Sequence, residues 1–413
     1  MPIYFILDGT FRRFRNSGIT LPFLILFLCF MQWSCGNEEN YGDTPADLTK
    51  IMIPSKANTT YENIFDSTVF VPLETNSLCF IKKIDYIDSL NKSIYILDVA
   101  SKQILRFGFD GKFLSKYSKI GSSESELSTP MDFSILHARG EICVYDSGND
   151  KLVYFDGFLN FLREKKVPFR FKKFSIDNGE DNYTFDKEYG FENKREMKYQ
   201  IIRTDSNFNI ISKQIHYKTG LGFFLAGADG NGNLTKDYNK NLFLPFYSST
   251  VFEINTKGEC NAKYVIDFEK GKLLDEKAAE KLTALNYSNV IQDTNNITGL
   301  AITNNQENIF GFFRIAEDFF HFTYNFNTPV VKLIQAKTNP SCGCGPIYTF
   351  KKFFGPSLVG YVTAANFEGF VKELNGKEQD DSTKKVLQKF NVSPSNNPVL
   401  VFSKLRNSHV VLK

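Results

Sequence analysis

The segment Ile94-Tyr95-Ile96-Leu97-Asp98 has a counterpart 48 residues downstream, Ile142-Cys143-Val144-Tyr145-Asp146. Each segment has the pattern of a buried strand that ends in aspartate and runs into a polar turn containing a lysine. A second strand then closes on an Asp-Gly hairpin, at 104–111 in the first copy and 152–157 in the second. Asp-Gly between alternating apolar residues is a strong hairpin signal, because both central positions of a type I′ turn need positive φ. A unit of paired strands therefore repeats along the chain.

Further copies of this unit follow. A third copy begins near Leu242 with LFLPFYSSTVFEINTKGE, and weaker copies lie at 199–212, 317–328 and 357–374. A repeat of 40–50 residues is typical of propeller blades. The sequence therefore predicts an all-β fold, a six-bladed β-propeller with four-stranded antiparallel blades. Helical spacing predicts one short helical insertion near 272–285 (KLLDEKAAEKLTAL) and, more weakly, a second at 367–390.

The N-terminal region has the layout of a secretory signal. The apolar run at 21–31 is about half the length that a membrane-spanning helix needs. Basic residues precede it at 11–15, and Ser34-Cys35-Gly36 follows it. This stretch resembles a bacterial lipoprotein signal peptide, in which such a cysteine becomes the acylated N-terminus. We expect a signal peptide at 1–34, lipidation at Cys35, a polar tether at 35–60 and the propeller at 61–413. A plain cleaved signal and an uncleaved anchor are the alternatives.

Charge and location follow from this processing. Removing 1–34 takes away three arginines and one aspartate, so a formal net charge of +3 becomes nearly neutral. A neutral chain lacks the basic footprint of a nucleic-acid-binding protein. The tract Asn37-Glu38-Glu39 is similar to the acidic tract that follows the lipidated cysteine of surface-exported Bacteroidetes lipoproteins. We therefore expect an outer-membrane lipoprotein of the cell envelope, exposed at the surface, with the membrane as a partner through its lipid.

The folded region resembles a known family, the six-bladed β-propeller lipoproteins of Bacteroidetes, which are relatives of the NHL-type propellers. The resemblance is carried by motifs distributed from Tyr61 to the end of the chain. These are VPLET at 71–75, IYILD at 94–98, FDGKF at 109–113, PFY at 245–247, VFEI at 251–254, YVIDF at 264–268 and NPVLV at 397–401. Such proteins usually carry a G-x-G-P-G-E segment between the first two blades. Here the stretch reads GSSESE at 121–126, so the inner glycines are absent and Glu126 is retained, followed by Pro130-Met131-Asp132-Phe133.

Candidate ligand-binding residues are few. The resemblance suggests Glu126 and Asp132. The four histidines, His137, His216, His321 and His409, are widely spaced and form no HExxH or other metal-ligand pattern. His321, in the strand FFHFTY, would face the central channel if the alternation places it inward. We therefore expect no catalytic residue, no cofactor and no metal.

Two short motifs leave alternatives open. Cys342-Gly343-Cys344 could form a disulfide together or with Cys79, Cys143 or Cys260, act in redox chemistry, or bind a soft metal. A lone CxC supplies only two of the four donors of a zinc site. The sequence DGNGN at 229–233 begins like a calcium loop, but Leu234 and Lys240 replace the required glycine and glutamate, which favours a polar turn.

Two function classes remain. The first is a non-catalytic binding module, anchored by lipid, that holds a glycan, a peptide or a partner protein. The second is a metal-dependent, lactonase-like hydrolase or lyase that uses channel-facing residues. The scarcity of histidine favours the binding module, because a propeller enzyme of that kind needs several converging ligands on its inner strands.

Overall fold

The computed structural model describes residues 48–177, 182–187, 199–216, 233–236, 241–245, 248–255, 257–274, 287–337, 348–374, 390 and 392–406. Within these ranges the chain forms six separate β-sheets. Each sheet contains four antiparallel strands, and at five of the six junctions between successive sheets the innermost strands contact one another within the described residues. The predicted six-bladed β-propeller is confirmed.

The first three blades follow the chain in order, each from its innermost to its outermost strand. Blade 1 contains β3 (Tyr86–Leu90), β4 (Ser93–Asp98), β5 (Gln103–Gly108) and β6 (Phe113–Tyr117). Blade 2 contains β7 (Pro130–Leu136), β8 (Glu141–Asp146), β9 (Lys151–Asp156) and β10 (Phe161–Lys166). Blade 3 contains β11 (Phe171–Ile176), β12 (Tyr183–Lys187), β13 (Tyr199–Thr204) and β14 (Ile210–His216).

Blades 4 and 5 each gain a fifth, parallel strand. Blade 4 contains β15 (Asn233–Leu234), β16 (Asn241–Leu244), β17 (Thr250–Ile254) and β18 (Cys260–Phe268), with β1 (Thr49–Ile53) along β18. Blade 5 contains β20 (Asn296–Asn304), β21 (Asn308–Ile315), β22 (Asp318–Asn325) and β23 (Val331–Ala336), with β19 (Lys272–Leu273) along β20.

Blade 6 closes the ring by joining the two ends of the propeller. Its strands β24 (Tyr348–Phe354), β25 (Ser357–Val362) and β26 (Val399–Leu405) come from the C-terminal side, and β2 (Phe65–Pro72) comes from the N-terminal side. Beside this sheet, the buried Asn397 accepts a hydrogen bond from the Ile81 amide (2.8 Å) and donates to the carbonyls of Glu74 (2.7 Å) and Cys79 (2.8 Å). Backbone pairing and one buried amide side chain therefore fasten the last blade to the first.

The repeated motif owes its composition to burial on both faces. All six residues of β4 are buried. Ile94 and Ile96 pack towards blade 6, whereas Tyr95 and Leu97 pack towards blade 2. A strand covered on both faces has a nearly continuous apolar sequence, and each fully buried isoleucine side chain contributes roughly 1.5–3 kcal/mol.

The aspartate that ends the motif has a structural role. Asp98 accepts hydrogen bonds from the amides of Lys82 (2.9 Å) and Ser101 (3.1 Å). Asp146 does the same for Ser128 (2.9 Å) and Thr129 (2.6 Å). In each copy the carboxylate holds the chain segment that enters the blade, and backbone donors on a buried carboxylate make strong, charge-assisted bonds.

Two sequence-based boundaries differ from the structure. The sequence predicts a polar tether at 35–60, but Thr49–Ile53 pairs with Tyr264–Phe268, so regular structure begins before Tyr61. The helical insertion near 272–285 begins instead with the strand Lys272–Leu273, and 275–286 lie outside the described residues. Strand pairing supplied by the neighbouring blade overrides the local helix propensity at 272–273.

Short helices occupy other positions. They are α1 (Tyr61–Ile64), α2 (Tyr287–Gln292), α3 (Phe367–Leu374) and the 3-10 turn η1 (Ala364–Asn366). The helix α3 confirms the N-terminal part of the weaker helical prediction, and the rest of that prediction, 375–389, lies outside the described residues. Within the described part of the chain, none of the helices has the length and apolar character needed to span a bilayer.

Candidate functional site

A cavity of about 360 Å³ lies where the innermost strands of all six blades meet. Its wall combines five lysines, two aspartates, four aromatic residues and one histidine. These are Lys83, Lys173, Lys236, Lys351, Lys352, Asp85, Asp88, Tyr86, Phe133, Phe312, Phe350 and His321. Ligand pockets in proteins are typically of this size and combine apolar walls with a few polar groups. The central cavity is therefore the candidate functional site.

Two of the lysines, Lys236 and Lys352, form contacts between different blades. Lys236, just after β15 of blade 4, contacts both carboxylate oxygens of Asp132 in blade 2 at 2.6 Å and the carbonyl of Phe133 at 2.7 Å. Lys352 of blade 6 donates to Asp88 of blade 1 (2.7 Å) and to the Lys236 carbonyl (3.1 Å). These contacts join blades that are not all neighbours, so both side chains stabilise the ring as well as line the cavity.

Asp132, predicted to bind ligand, is instead the ion-pair partner of Lys236. It is fully buried and also accepts a hydrogen bond from the Phe174 amide at 3.0 Å. Burial raises the pKa of Asp132, and the adjacent Lys236 opposes that rise. Burial likewise lowers the pKa of Lys236. Each charge therefore depends on the other, and removing either partner would leave a buried unpaired charge.

Two other lysines have no carboxylate partner within the described ranges. Lys351 of blade 6 donates to the Asp85 carbonyl at 3.2 Å, and burial lowers its pKa to about 8. The side chain of Lys173 of blade 3 makes no hydrogen bond or ion pair with any residue that the structure describes. Burial lowers the pKa of Lys173 as well, and the charges of Asp132 and Asp186 oppose that change. Both ammonium groups thus retain donors that could contact a molecule in the cavity.

Asp186 stands opposite Lys173 in the β11–β12 ladder. It is fully buried, and neither carboxylate oxygen has a hydrogen-bond partner among the described residues. Burial raises its pKa to about 7, against the lowering effect of Lys173 and Lys172. At neutral pH Asp186 is therefore partly protonated and only partly offsets the charge of Lys173.

His321 lies in the cavity wall, on β22 of blade 5. It is fully buried and its Nδ1 shares a 2.6 Å hydrogen bond with the hydroxyl of Tyr61. Burial lowers its pKa to about 3, so the ring is neutral at physiological pH. The rings of Phe310, Phe312 and Phe350 surround it. This environment suits a packed, neutral imidazole and disfavours a histidine that must accept and carry a proton.

Glu126, the third predicted ligand-binding residue, does not line the cavity. It is half-buried in the connection between blades 1 and 2, where its Oε2 accepts a hydrogen bond from the Ser123 amide at 2.9 Å. Of the three predicted residues, His321 lines the cavity, Asp132 lies behind the wall as the partner of the lining residue Lys236, and Glu126 is apart from both.

Several sequence-based predictions fall outside the described residues. These are lipidation at Cys35, the Cys342–Cys344 motif and the turn at 229–232. Cys79, Cys143 and Cys260 are described and carry free thiols. No group of three or more histidine, cysteine, aspartate or glutamate side chains placed to hold a metal ion occurs in the described part of the chain.

No chemical motif points to the cavity lysines, although the sequence carries a signal for three of them, Lys173, Lys351 and Lys352. Phe-Lys-Lys-Phe occurs at 171–174 and again at 350–353, on the innermost strands of blades 3 and 6. A doubled lysine between phenylalanines is unusual for a strand packed inside a propeller, since lysine is almost never fully buried without a partner. Lys236 gave no such signal, because its role depends on a contact across the ring.

Comparison with solved structures supports the fold. A protein of Bacteroides fragilis NCTC 9343, described as a "putative exported protein", superposes with a TM-score of 0.71 at 17% identity, covering 87% of this chain and 100% of that one. A member of the DUF4221 family from Bacteroides vulgatus ATCC 8482 gives a TM-score of 0.52 at 11% identity, covering 84% and 99%. At these identities the likeness extends to the fold alone.

Comparison of sequences identifies a family. No curated protein matches the chain. Residues 48–404 match the model of a domain of unknown function, DUF4934, a range that includes all six blades and the cavity. The chain belongs to the DUF4934 family.

Proposed function

We propose that this protein is a non-catalytic binding module of the cell envelope, which holds a glycan, a peptide or a segment of a partner protein in its central cavity. The observation that carries this proposal is the cavity of about 360 Å³ lined by all six innermost strands. Propellers present their inner strands and connecting loops to ligands, although the fold alone does not name the ligand.

The composition of the wall supports binding over a purely structural role. Lys236 and Lys352 already stabilise the ring through Asp132 and Asp88. Lys173 and Lys351 also reach the cavity, yet neither has a carboxylate partner among the described residues. Burial of an unpaired charge is costly, so such groups are more readily explained by a ligand than by stability.

The envelope location is the second part of the proposal. In it, residues 1–34 are a signal peptide and Cys35 is acylated, which anchors the propeller to the outer membrane at the cell surface. Support comes from the signal-like N-terminal sequence, from the resemblance to NHL-like propeller lipoproteins of Bacteroidetes, and from the description of the Bacteroides fragilis protein as exported. Several acyl chains, at roughly 0.8 kcal/mol per buried methylene, would hold the protein firmly. Mass spectrometry of the mature N-terminus tests this, and an unacylated terminus at another residue would contradict it.

A cavity-filling variant tests the binding role. Ala301 lines the cavity, and Ala301→Phe would occupy part of its volume. Ala262 is also half-buried but lies on β18, towards the outside of blade 4, so Ala262→Phe is a matched control. We expect the full chain, purified in detergent and screened on glycan and peptide arrays, to bind a defined set of ligands. Ala301→Phe should lose that binding while Ala262→Phe keeps it.

Two results would contradict the proposal. Binding that survives Ala301→Phe in a folded protein would move the ligand site away from the cavity. A tightly bound divalent ion at one per chain, found by metal analysis of the purified protein, would favour the metal-dependent hydrolase or lyase instead.

A further inference from the structure

The charges in the cavity wall narrow the chemistry of the ligand. Five lysines and two aspartates belong to the wall, which also contains no arginine and no glutamate among the described residues. Lysine presents a compact charge with three donors, whereas arginine presents a planar fork. Positive charges therefore outnumber negative charges in the wall, and each positive charge is a compact ammonium group.

Three of the five lysines already have a carboxylate partner. Lys236 pairs with Asp132 and Lys352 with Asp88, as described above. Lys83 pairs with Asp85 at 3.1 Å, and its side chain is 64% exposed, so that pair is weakly held. These pairs include both aspartates of the wall, Asp85 and Asp88, and the fully buried Asp132.

Lys173 and Lys351 are the two lysines that these pairs leave over. They lie on blades 3 and 6, which stand on opposite sides of a six-membered ring. Burial lowers the pKa of both ammonium groups, against the raising effect of Asp132 on Lys173 and of Asp85 on Lys351, and the charge of Lys173 adds to the lowering at Lys351. Asp186 does not form an ion pair with Lys173 and is itself partly protonated at neutral pH. Two ammonium groups without an ion-pair partner among the described residues therefore line one cavity.

An anion bound in the cavity would compensate the charges of both Lys173 and Lys351. A carboxylate or phosphate oxygen accepts charge-assisted hydrogen bonds from lysine, and such bonds are about twice as strong as neutral ones. The body of the ligand would meet Phe312 and Phe350, whose ring centroids are 6.5 Å apart beside His321. These rings offer an apolar surface of the kind that lines most small-molecule sites.

We propose, building on the binding role above, that the cavity selects a ligand group bearing a carboxylate or a phosphate on a sugar-sized body. Lys173 and Lys351 donate hydrogen bonds to the anionic group, and Phe312 and Phe350 pack against the body. Lys236 and Lys352 keep their partners and preserve the shape of the ring.

Calorimetric titration of the full chain with four probes tests this proposal. The probes are glucuronate, glucose 6-phosphate, glucose and inorganic phosphate, so that a carboxylate, a phosphate and a neutral ring of similar size are compared. The variants are Lys173→Met and Lys351→Met, which keep most of the side-chain volume. Lys112→Met is the control, because its side chain is 78% exposed at a hairpin on the rim.

The expected result is at least tenfold tighter binding of glucuronate, of glucose 6-phosphate or of both than of glucose. Whichever anion binds better identifies the carboxylate or the phosphate. Lys173→Met and Lys351→Met should each weaken anion binding about tenfold or more, as loss of a hydrogen bond to a charged group does, and Lys112→Met should not.

The titrations distinguish failure of the anion proposal from failure of the proposed binding function. Equal binding of glucose and glucuronate, unchanged in Lys173→Met, would overturn the anion proposal and leave the cavity as the ligand site. Absence of any binding that depends on Lys173, inorganic phosphate included, would overturn it too, because two unpaired ammonium groups should attract even a small anion. Anion binding that survives Ala301→Phe would contradict both this proposal and the proposed function.

Discussion

The buried carboxyl of Asp186 makes the stability of the propeller depend on pH in a direction opposite to most aspartates. It lies on β12, fully buried, with both oxygens lacking a hydrogen bond among the described residues. Burial raises its pKa to about 7, and Asp132 adds to the rise, while Lys173 and Lys172 oppose it. Substitution with asparagine keeps the shape of the side chain and removes the titration.

The expected size follows from the two pKa values. An aspartate in the unfolded chain has a pKa of about 3.9, so between pH 4 and 7 the folded state keeps a proton that the unfolded state loses. Protonation of Asp186 therefore stabilises the fold at pH 5, and this contribution disappears as the pH rises through 7. Two pH units at about 1.4 kcal/mol each give a loss of about 3 kcal/mol between pH 5 and 8. Asp186→Asn should not show this loss.

Urea unfolding of the two proteins at pH 5, 6, 7 and 8 measures the effect as a difference between wild type and variant. Taking the difference cancels other titrating groups, such as His321 and His137, whose lowered pKa values act in the opposite direction. Asp156→Asn is the control, since hydrogen bonds from Asn160 hold the pKa of Asp156 low and it stays ionised across this range. The stability of Asp186→Asn relative to wild type should rise by about 3 kcal/mol between pH 5 and pH 8, because only wild type loses stability over this range. Parallel pH profiles for wild type and Asp186→Asn would refute the reasoning.

Three further predictions concern the ring, the repeat and the cavity. Asn397→Ala removes the three hydrogen bonds of a buried side chain at the junction of the first and last blades, and should lower the free energy of unfolding by about 3 kcal/mol. A loss below about 1 kcal/mol in urea unfolding would contradict the role of Asn397 in closing the ring. Asp146→Ala should destabilise by about 2 kcal/mol and should speed hydrogen exchange at the Ser128 and Thr129 amides first, whereas uniform changes across the chain would argue against a local tie. Anion binding should weaken as the pH rises from 7 to 9, because Lys351, with a pKa of about 8 beside Asp85, Lys83 and Lys173, loses its charge, and a calorimetric profile that is flat in wild type would contradict its part in binding.

The fold could be predicted from the sequence because its signal is local. The segments at 94–98 and 142–146 are buried on both faces and are followed by hairpins, so each repeat carries its own pattern. The parallel strand at 49–53 could not be found in this way, since it depends on an edge offered by 264–268, more than 200 residues away. The strand at 272–273 was missed for the same reason, because the sequence around it favours a helix.

The candidate site was predictable only in part. His321 was expected to face the channel and lies in the cavity wall, but its environment indicates packing more than proton transfer. The role of Asp132 depends on its ion pair with Lys236, which comes from a blade that is not adjacent to its own. The roles of such charges depend on which blades face each other across the ring, and a sequence pattern does not carry that information.

The central claim is that the cavity between the six innermost strands holds the ligand through Lys173 and Lys351. A crystal structure of the full chain with the tightest-binding probe of the glucuronate series tests it most directly. The anionic group should lie within about 3 Å of the Nζ atoms of one or both lysines, with the sugar ring against Phe312 and Phe350. A probe bound on the outer rim, with water alone in the cavity, would contradict it.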